Sequence, residues 1–252
     1  MDTAVSMIVY LLLRQSALQK QKAQARIEAT NTRLQIEQDR SEHLLLNILP
    51  APIATRLKSS NQTIADGIPD VSVMFVDIVN FTRVAEGMPP QQVFAMLNRI
   101  FSAFDELAEK HSLEKIKTIG DAYMVAGGLN HHPGNYSVAI VELAFDMQAQ
   151  LRSDIQVTGI ELDIRIGIAT GSVVAGVVGK KKFIYDLWGD TVNTASRITG
   201  EGIPGAILVD AATHQRLDQH FDFEVPRPLQ LKGKGTLDVY RVTGPKTSRT
   251  QD

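Results

Sequence analysis

Cysteine is absent from all 252 residues. That excludes disulfides, thiolate metal sites and a cysteine nucleophile. Neither sign of charge is in excess: 26 basic residues face 28 acidic ones, for a formal net charge of −2. A chain built to hold nucleic acid shows a basic surplus, so no nucleic-acid partner is expected. A phosphate-binding loop of the Walker type is missing. Gly171 and Gly176 have the five-step spacing, but Val177 and Val178 stand where Lys and Ser or Thr are required. No histidine spacing suits a metal, and no internal repeat is visible. Apolar residues make up 44%, which supplies a core and argues against disorder. The length fits one large domain, or a domain with an appendage.

Long apolar runs are also scarce. Residues 5–13 (VSMIVYLLL) are apolar-rich, but a membrane span needs about 20 such residues. Asp2 precedes the run, whereas Arg14, Lys20, Lys22 and Arg26 follow it. That order is wrong for a signal peptide and matches the cytoplasmic end of a transmembrane helix. Residues 1–13 are therefore expected to close a membrane helix whose companions lie upstream. The chain would then sit at the cell membrane with its globular part on the cytoplasmic side; the start of an ordinary buried helix is the alternative. Residues 14–58 contain no glycine, and their only prolines are Pro50 and Pro52. This composition predicts a long helical, signalling region. Leu11, Leu18 and Ala25 are seven apart, as are Ile27 and Leu34, but the two series are out of phase, so the coiled-coil signal is weak. An apolar patch at Leu44, Leu45, Leu46, Ile48 and Leu49 stops at Pro50, and a second short helix is expected over 52–58. Residues 59–70 (SSNQTIADGIPD) read as a linker.

From residue 71 strands and helices alternate. Strands are expected at 71–77, 113–119, 122–127 and 162–170, and helices at 90–111 and 135–152. The order β-α-β-β-α-β is an α+β, ferredoxin-like core. A C-terminal extension follows, with strands at 173–178, 183–188, 206–209 and 237–242 and helices at 191–199 and 211–220. The globular domain is read as 71–245 and the tail as 246–252.

Asp77 ends the first strand, and Asp121 sits in the turn between the next two. In a ferredoxin-like sheet both carboxylates converge at one end, where they repel unless a cation lies between them; magnesium with substrate phosphates is the usual answer. Either Asp alone also reads as a turn or cap residue. Ile78 to Thr82 (IVNFT), including Phe81 and Thr82, turn the strand into a helical segment whose backbone N–H groups suit a triphosphate, or form a routine turn. Asn193 and Arg197 share a helix face. Arg offers a fork for a phosphate and Asn a contact for ribose or water; a solvated face is the plainer reading. Asp190 or Thr191 is expected to cap that helix. Lys117 lies about 13 Å from Asp121 along an extended strand, too far to serve the same metal. Lys117 as donor and Asp186 as acceptor suit adenine. Lys232 and Lys234 form a cationic pair beside glycines.

The segments FVDIVNFT (75–82), KIKTIGDAYM (115–124) and RIGIATGSVVAGVVGKKKFIYDLWGDTVNTASRI (165–198) resemble the class III nucleotidyl cyclase catalytic domain. NILPAPIATRLK (47–58) resembles the transducing element that precedes it in membrane-anchored and receptor cyclases. The chain as a whole is most similar to the cytosolic part of mycobacterial membrane adenylyl cyclases with six transmembrane helices. The resemblance implies conversion of ATP to 3′,5′-cyclic AMP and pyrophosphate. It implies two Mg²⁺ or Mn²⁺ ions per site on Asp77, Asp121 and the Ile78 carbonyl, with purine selection by Lys117 and Asp186. Asn193 and Arg197 become the transition-state pair. Lys232 holds the terminal phosphates, a part that Lys234 could also play. It further implies a homodimer with head-to-tail catalytic domains, parallel N-terminal helices and sites shared between subunits. Competing readings are a guanylyl cyclase, a catalytically silent dimerising module, and another nucleotidyl transferase on the same core.

Overall fold

The computed structural model describes residues 2–59, 64–129, 135–158, 161–179, 182–231 and 233–246. The chain forms two units, Met1–Gln62 and Thr63–Asp252. In the first, α1 (Asp2–Leu46) is one uninterrupted helix and α2 (Ala51–Ser59) follows a break at Pro50. Pro50 ends the first helix and starts the second: its carbonyl accepts from the Ile53 and Ala54 amides, both at 2.9 Å. An ion pair of 2.8 Å between Lys58 and Glu42 ties α2 to α1. Leu18, Ile27, Leu34 and Leu44 are all exposed on α1. Among the described residues no helix is long and apolar enough to cross a membrane.

The second unit has the expected core. Its elements are β1 (Ala65–Val79), α3 (Phe81–Glu86), α4 (Pro90–Lys110), β2 (Glu114–Ile119), β3 (Ala122–Gly127), α5 (Tyr136–Thr158) and β4 (Asp163–Val178). These are followed by β5 (Ile184–Trp188), α6 (Asp190–Gly200), β6 (Ile207–Val209), α7 (Ala211–Leu217), β7 (Phe221–Phe223), β8 (Arg227–Leu231) and β9 (Gly235–Pro245). The sheet runs β2-β3-β1-β4-β6-β9-β7, with β5 paired to β4 and β8 to β9. Its first four strands are the antiparallel ferredoxin-like set.

Several boundaries differ from the sequence reading. β1 begins at Ala65, inside the stretch read as a linker, because residues 65–68 pair with 173–176 of β4. β4 runs unbroken through Gly171 where two strands were expected, since pairing with β1 carries the chain across a residue that looks like a turn. β7 and β8 were not foreseen. The segment FDFEVPRPLQL has neither clean alternation nor length, and only β9 as partner makes strands of it.

Residues 71–76 of β1 are all buried because both faces of the sheet are covered. Met74 and Val76 point toward Met96, Ile100 and Phe104 of α4 and Ile140, Leu143 and Met147 of α5. Val73 and Phe75 face the other way, against Ala195 of α6. Each such side chain contributes about 1.5–3 kcal/mol on burial. The approach of α6 to the sheet depends on Gly167. A Cβ there would lie 2.5 Å from the Thr199 amide and 2.7 Å from the Ala195 carbonyl oxygen. Gly167→Ala is expected to cost about 1–3 kcal/mol through overpacking. Chemical denaturation should show a lower midpoint with an unchanged m-value; an unchanged midpoint would show that α6 moves away freely.

Candidate active site

Strand register assembles the first cluster. Asp77 near the end of β1 lies opposite Ala122 of β3 and Arg165 of β4. Asp121 occupies the β2–β3 turn, and its carbonyl accepts from the Ile78 amide at 3.4 Å. Both carboxylates thus stand at one end of the sheet, as expected. Just beyond, Asn80 adopts a left-handed conformation (φ 55°) and leads into α3, which opens with Phe81 and Thr82. Arg165 is a member that the sequence reading missed. Its Nε donates to Asp77 Oδ2 at 2.7 Å, its Nη2 lies 2.6 Å from the same oxygen, and its Nη1 donates to the Gly200 carbonyl at 2.6 Å. A lone cation in the apolar strand LDIRIGIAT was the available signal. Its partner was not legible until β1 and β4 were in register.

Burial pushes the Asp121 carboxyl above its ordinary range, and the neighbouring Asp77 charge adds to this. Its own backbone N–H and the Arg165 charge work the other way. Among the described residues Asp121 has no ion-pair partner. Two hard oxygen donors side by side, one of them costly to ionise, suit a dication. Such an ion has to share Asp77 with Arg165. Asp77, Asp121 and the Ile78 carbonyl are the groups that would hold it.

The second cluster is Lys117 with Asp186. They sit on strands that are not neighbours in the sheet, yet the Lys117 ammonium donates to Asp186 Oδ2. Asp186 is buried, and its other oxygen accepts from the Leu187 amide at 2.8 Å. One donor and one acceptor therefore stand at one place, as a purine edge requires.

The third cluster lies on α6. Asp190, Asn193, Thr194 and Arg197 recur at i, i+3, i+4 and i+7, a single stripe. Asn193 is exposed and Arg197 half-buried. The expected capping does not occur. The N-cap is Gly189, which carries no side chain and has φ 140°, while Asp190 is the first helical residue. Thr191 instead donates to the Ser172 carbonyl at 2.8 Å. The Lys234 ammonium contacts Asp190 and Thr194. Lys232 lies outside the described residues. Among the described residues no ion pair joins one cluster to another.

Residues 64–244 match the family described as the adenylate and guanylate cyclase catalytic domain. The chain belongs to that family. An adenylate cyclase of Mycobacterium tuberculosis is 42% identical over 228 residues, which cover 89% of this chain and 50% of that protein. The chain thus spans about half the length of the curated relatives it matches. Among solved structures, the guanylate cyclase domain of RhGC from Catenaria anguillulae, in complex with GTP, is 33% identical with a TM-score of 0.68. That likeness covers 72% of this chain and all of that one. The adenylyl cyclase CyaB from P. aeruginosa is 26% identical with a TM-score of 0.67, covering 73% and 97%. These likenesses agree with the ferredoxin-like core and the cyclase class read from the sequence.

If the carboxylate pair holds a dication, Mn²⁺ in excess should stabilise the protein by about 2–3 kcal/mol at a hundred times its dissociation constant. Differential scanning fluorimetry is expected to show an upward Tm shift for the unmodified chain and none for Asp121→Asn. Equal shifts in both would move the metal elsewhere.

Proposed function

We propose that this cyclase domain converts ATP to 3′,5′-cyclic AMP and pyrophosphate. The observation that carries the choice of substrate is the Lys117–Asp186 contact, a cation and a buried carboxylate at one point. Asp186 accepts from the exocyclic amine of adenine and Lys117 donates to a ring nitrogen. In the same pose guanine would set its O6 carbonyl against the Asp186 carboxylate and its N1–H against the Lys117 ammonium, acceptor on acceptor and donor on donor.

The reaction is an in-line displacement. The ribose 3′-hydroxyl gives up its proton to solvent and its oxygen bonds to the α-phosphorus, while the bond from that phosphorus to the α,β-bridging oxygen breaks and pyrophosphate leaves with the electron pair. Arg197 steadies the negative charge on the α-phosphate, and Asn193 orients the ribose. Lys232 holds the terminal phosphates, with Phe81 and Thr82 supplying backbone contacts at the turn after β1. Two Mg²⁺ or Mn²⁺ ions, held by Asp77, Asp121 and the Ile78 carbonyl, would supply activation of the 3′-hydroxyl and neutralisation of the triphosphate.

We further propose a homodimer with head-to-tail catalytic domains and sites shared between subunits. Two observations support it. Among the described residues no ion pair links the three clusters within one chain, and Val174, Val178, Phe183, Ile184 and Trp188 leave apolar side chains exposed on β4, β5 and their connection. Parallel pairing of the N-terminal helices fits the exposed leucines and isoleucines of α1. Attachment to the cytoplasmic face of the cell membrane fits the basic residues that follow residues 5–13; cell fractionation of the natural protein tests it.

Purified chain with Mn²⁺ and ATP or GTP should yield cyclic AMP in preference to cyclic GMP, with no polymer. Lys117→Glu combined with Asp186→Cys is expected to lower ATP turnover roughly ten- to hundredfold, the cost of unpaired buried polar groups. Unchanged turnover would remove the pair from purine selection. Asp77→Ala and Arg197→Ala should each be nearly inactive alone, and mixing them should restore activity, because a heterodimer has one site free of both changes. A mixture that forms heterodimers yet stays inactive would end the shared-site reading.

A further inference from the structure

We infer that Lys234 is a positioning residue, a latch between the β8–β9 turn and α6, and not a phosphate contact; this rests on the cyclase reading above. Lys232 and Lys234 are chemically equal candidates for the terminal phosphates, and the structure separates them through what Lys234 already holds.

The turn is tightly made. The Lys234 amide donates to the Leu231 carbonyl at 3.0 Å, and Gly233 and Gly235 have φ of 74° and 79°, conformations that a glycine adopts without strain. From this turn the Lys234 side chain reaches the first turn of α6. Its ammonium pairs with the Asp190 carboxylate and donates to Thr194 Oγ1 at 2.6 Å. Thr194 is buried, and its own hydroxyl proton goes to the Asp190 carbonyl at 2.8 Å. Its oxygen lone pairs are thereby left to accept from Lys234. The anchor is directional at both ends.

The location gives the latch a catalytic consequence. Asp190 and Thr194 belong to the same stripe of α6 as Asn193 and Arg197. One residue before Lys234, the backbone of Gly233 runs beside the Arg197 guanidinium: a Cβ there would lie 3.8 Å from Nη2. Lys234 therefore holds the turn along the helix face that presents Arg197, with its own charge balanced by Asp190. The Asp190 side chain is 77% exposed, and an ion pair with one partner so open to solvent adds little to global stability. Its effect is on where the turn sits.

The test uses the full chain with Asp190→Asn, Lys234→Gln, the double variant and Lys234→Arg. Steady-state kcat and KM for ATP and hydrogen exchange over residues 231–236 are the readouts. Asp190→Asn and Lys234→Gln are each expected to lower kcat about tenfold by mispositioning, with KM little changed. The double variant should be no worse than either single one, and Lys234→Arg should recover most of the loss. Exchange in the turn should quicken roughly two- to fivefold in both single variants. A phosphate contact predicts a different pattern: Lys234→Gln raises KM, while Asp190→Asn, which removes an anion near the phosphates, keeps or gains activity. That pattern, or unaltered exchange in the turn, overturns the latch. Absence of cyclic nucleotide from the unmodified chain overturns the cyclase reading instead, and exchange alone then decides the latch.

Discussion

The register of β1 between β3 and β4 is the constraint on which the site depends. Side chains alternate along a strand, so a slip of one residue would turn Asp77 into the core and bring an apolar neighbour to the site. The register is held by the unbroken buried run 71–76, which packs against α4 and α5 on one face and α6 on the other. With it in place, Asp77 meets Arg165 across β4 and stands beside the Asp121 turn across β3. Burial energy spread over many apolar side chains thus fixes the position of a few costly charges.

Those charges are handled differently in each cluster. Asp77 is balanced by Arg165, Asp186 by Lys117 and Asp190 by Lys234. Asp121 has no ion-pair partner among the described residues, and its carboxyl is pushed up by burial and by Asp77. Among these three clusters, the carboxylate end of the sheet is therefore where an added cation relieves an electrostatic penalty already present. The balancing cations also hold geometry: Arg165 reaches the end of α6 at Gly200, and Lys234 its first turn. Helix α6 is gripped at both ends by side chains from other elements, and along its second half by the close approach over Gly167.

Much of the core was legible because its signals are local and strong. The apolar period of residues 90–111 and the buried strands at 71–77 and 122–127 needed no partner to be read. The β7 and β8 strands and the first six residues of β1 were not legible, because short polar segments become strands only when a neighbour supplies the hydrogen bonds. In the site, Asp77, Asp121, Lys117 and Asp186 were singled out from chemistry and family resemblance, and the structure brings the members of each pair together. Arg165 escaped, since an arginine within a strand announces its partner only through register. The cap assigned to Asp190 or Thr191 was misplaced because both side chains are claimed by groups distant in sequence: Lys234 in one case and the Ser172 carbonyl in the other.

By itself, the sequence determined the class of the core, the break between the two N-terminal helices and most of the charged residues that the clusters draw on. Each of these follows from residue type and spacing along the chain: hydrophobic period, a proline without an N–H, and carboxylates and cations in recognisable runs. Only the tertiary structure decided which charges neutralise one another and which are left for a ligand. That outcome depends on distances between residues far apart in the chain, 69 positions for Lys117 and Asp186 and 88 for Arg165 and Asp77. Such pairs are made by strand register and helix docking, and Coulomb energies fall off too steeply in a hydrated protein for sequence proximity to stand in for contact.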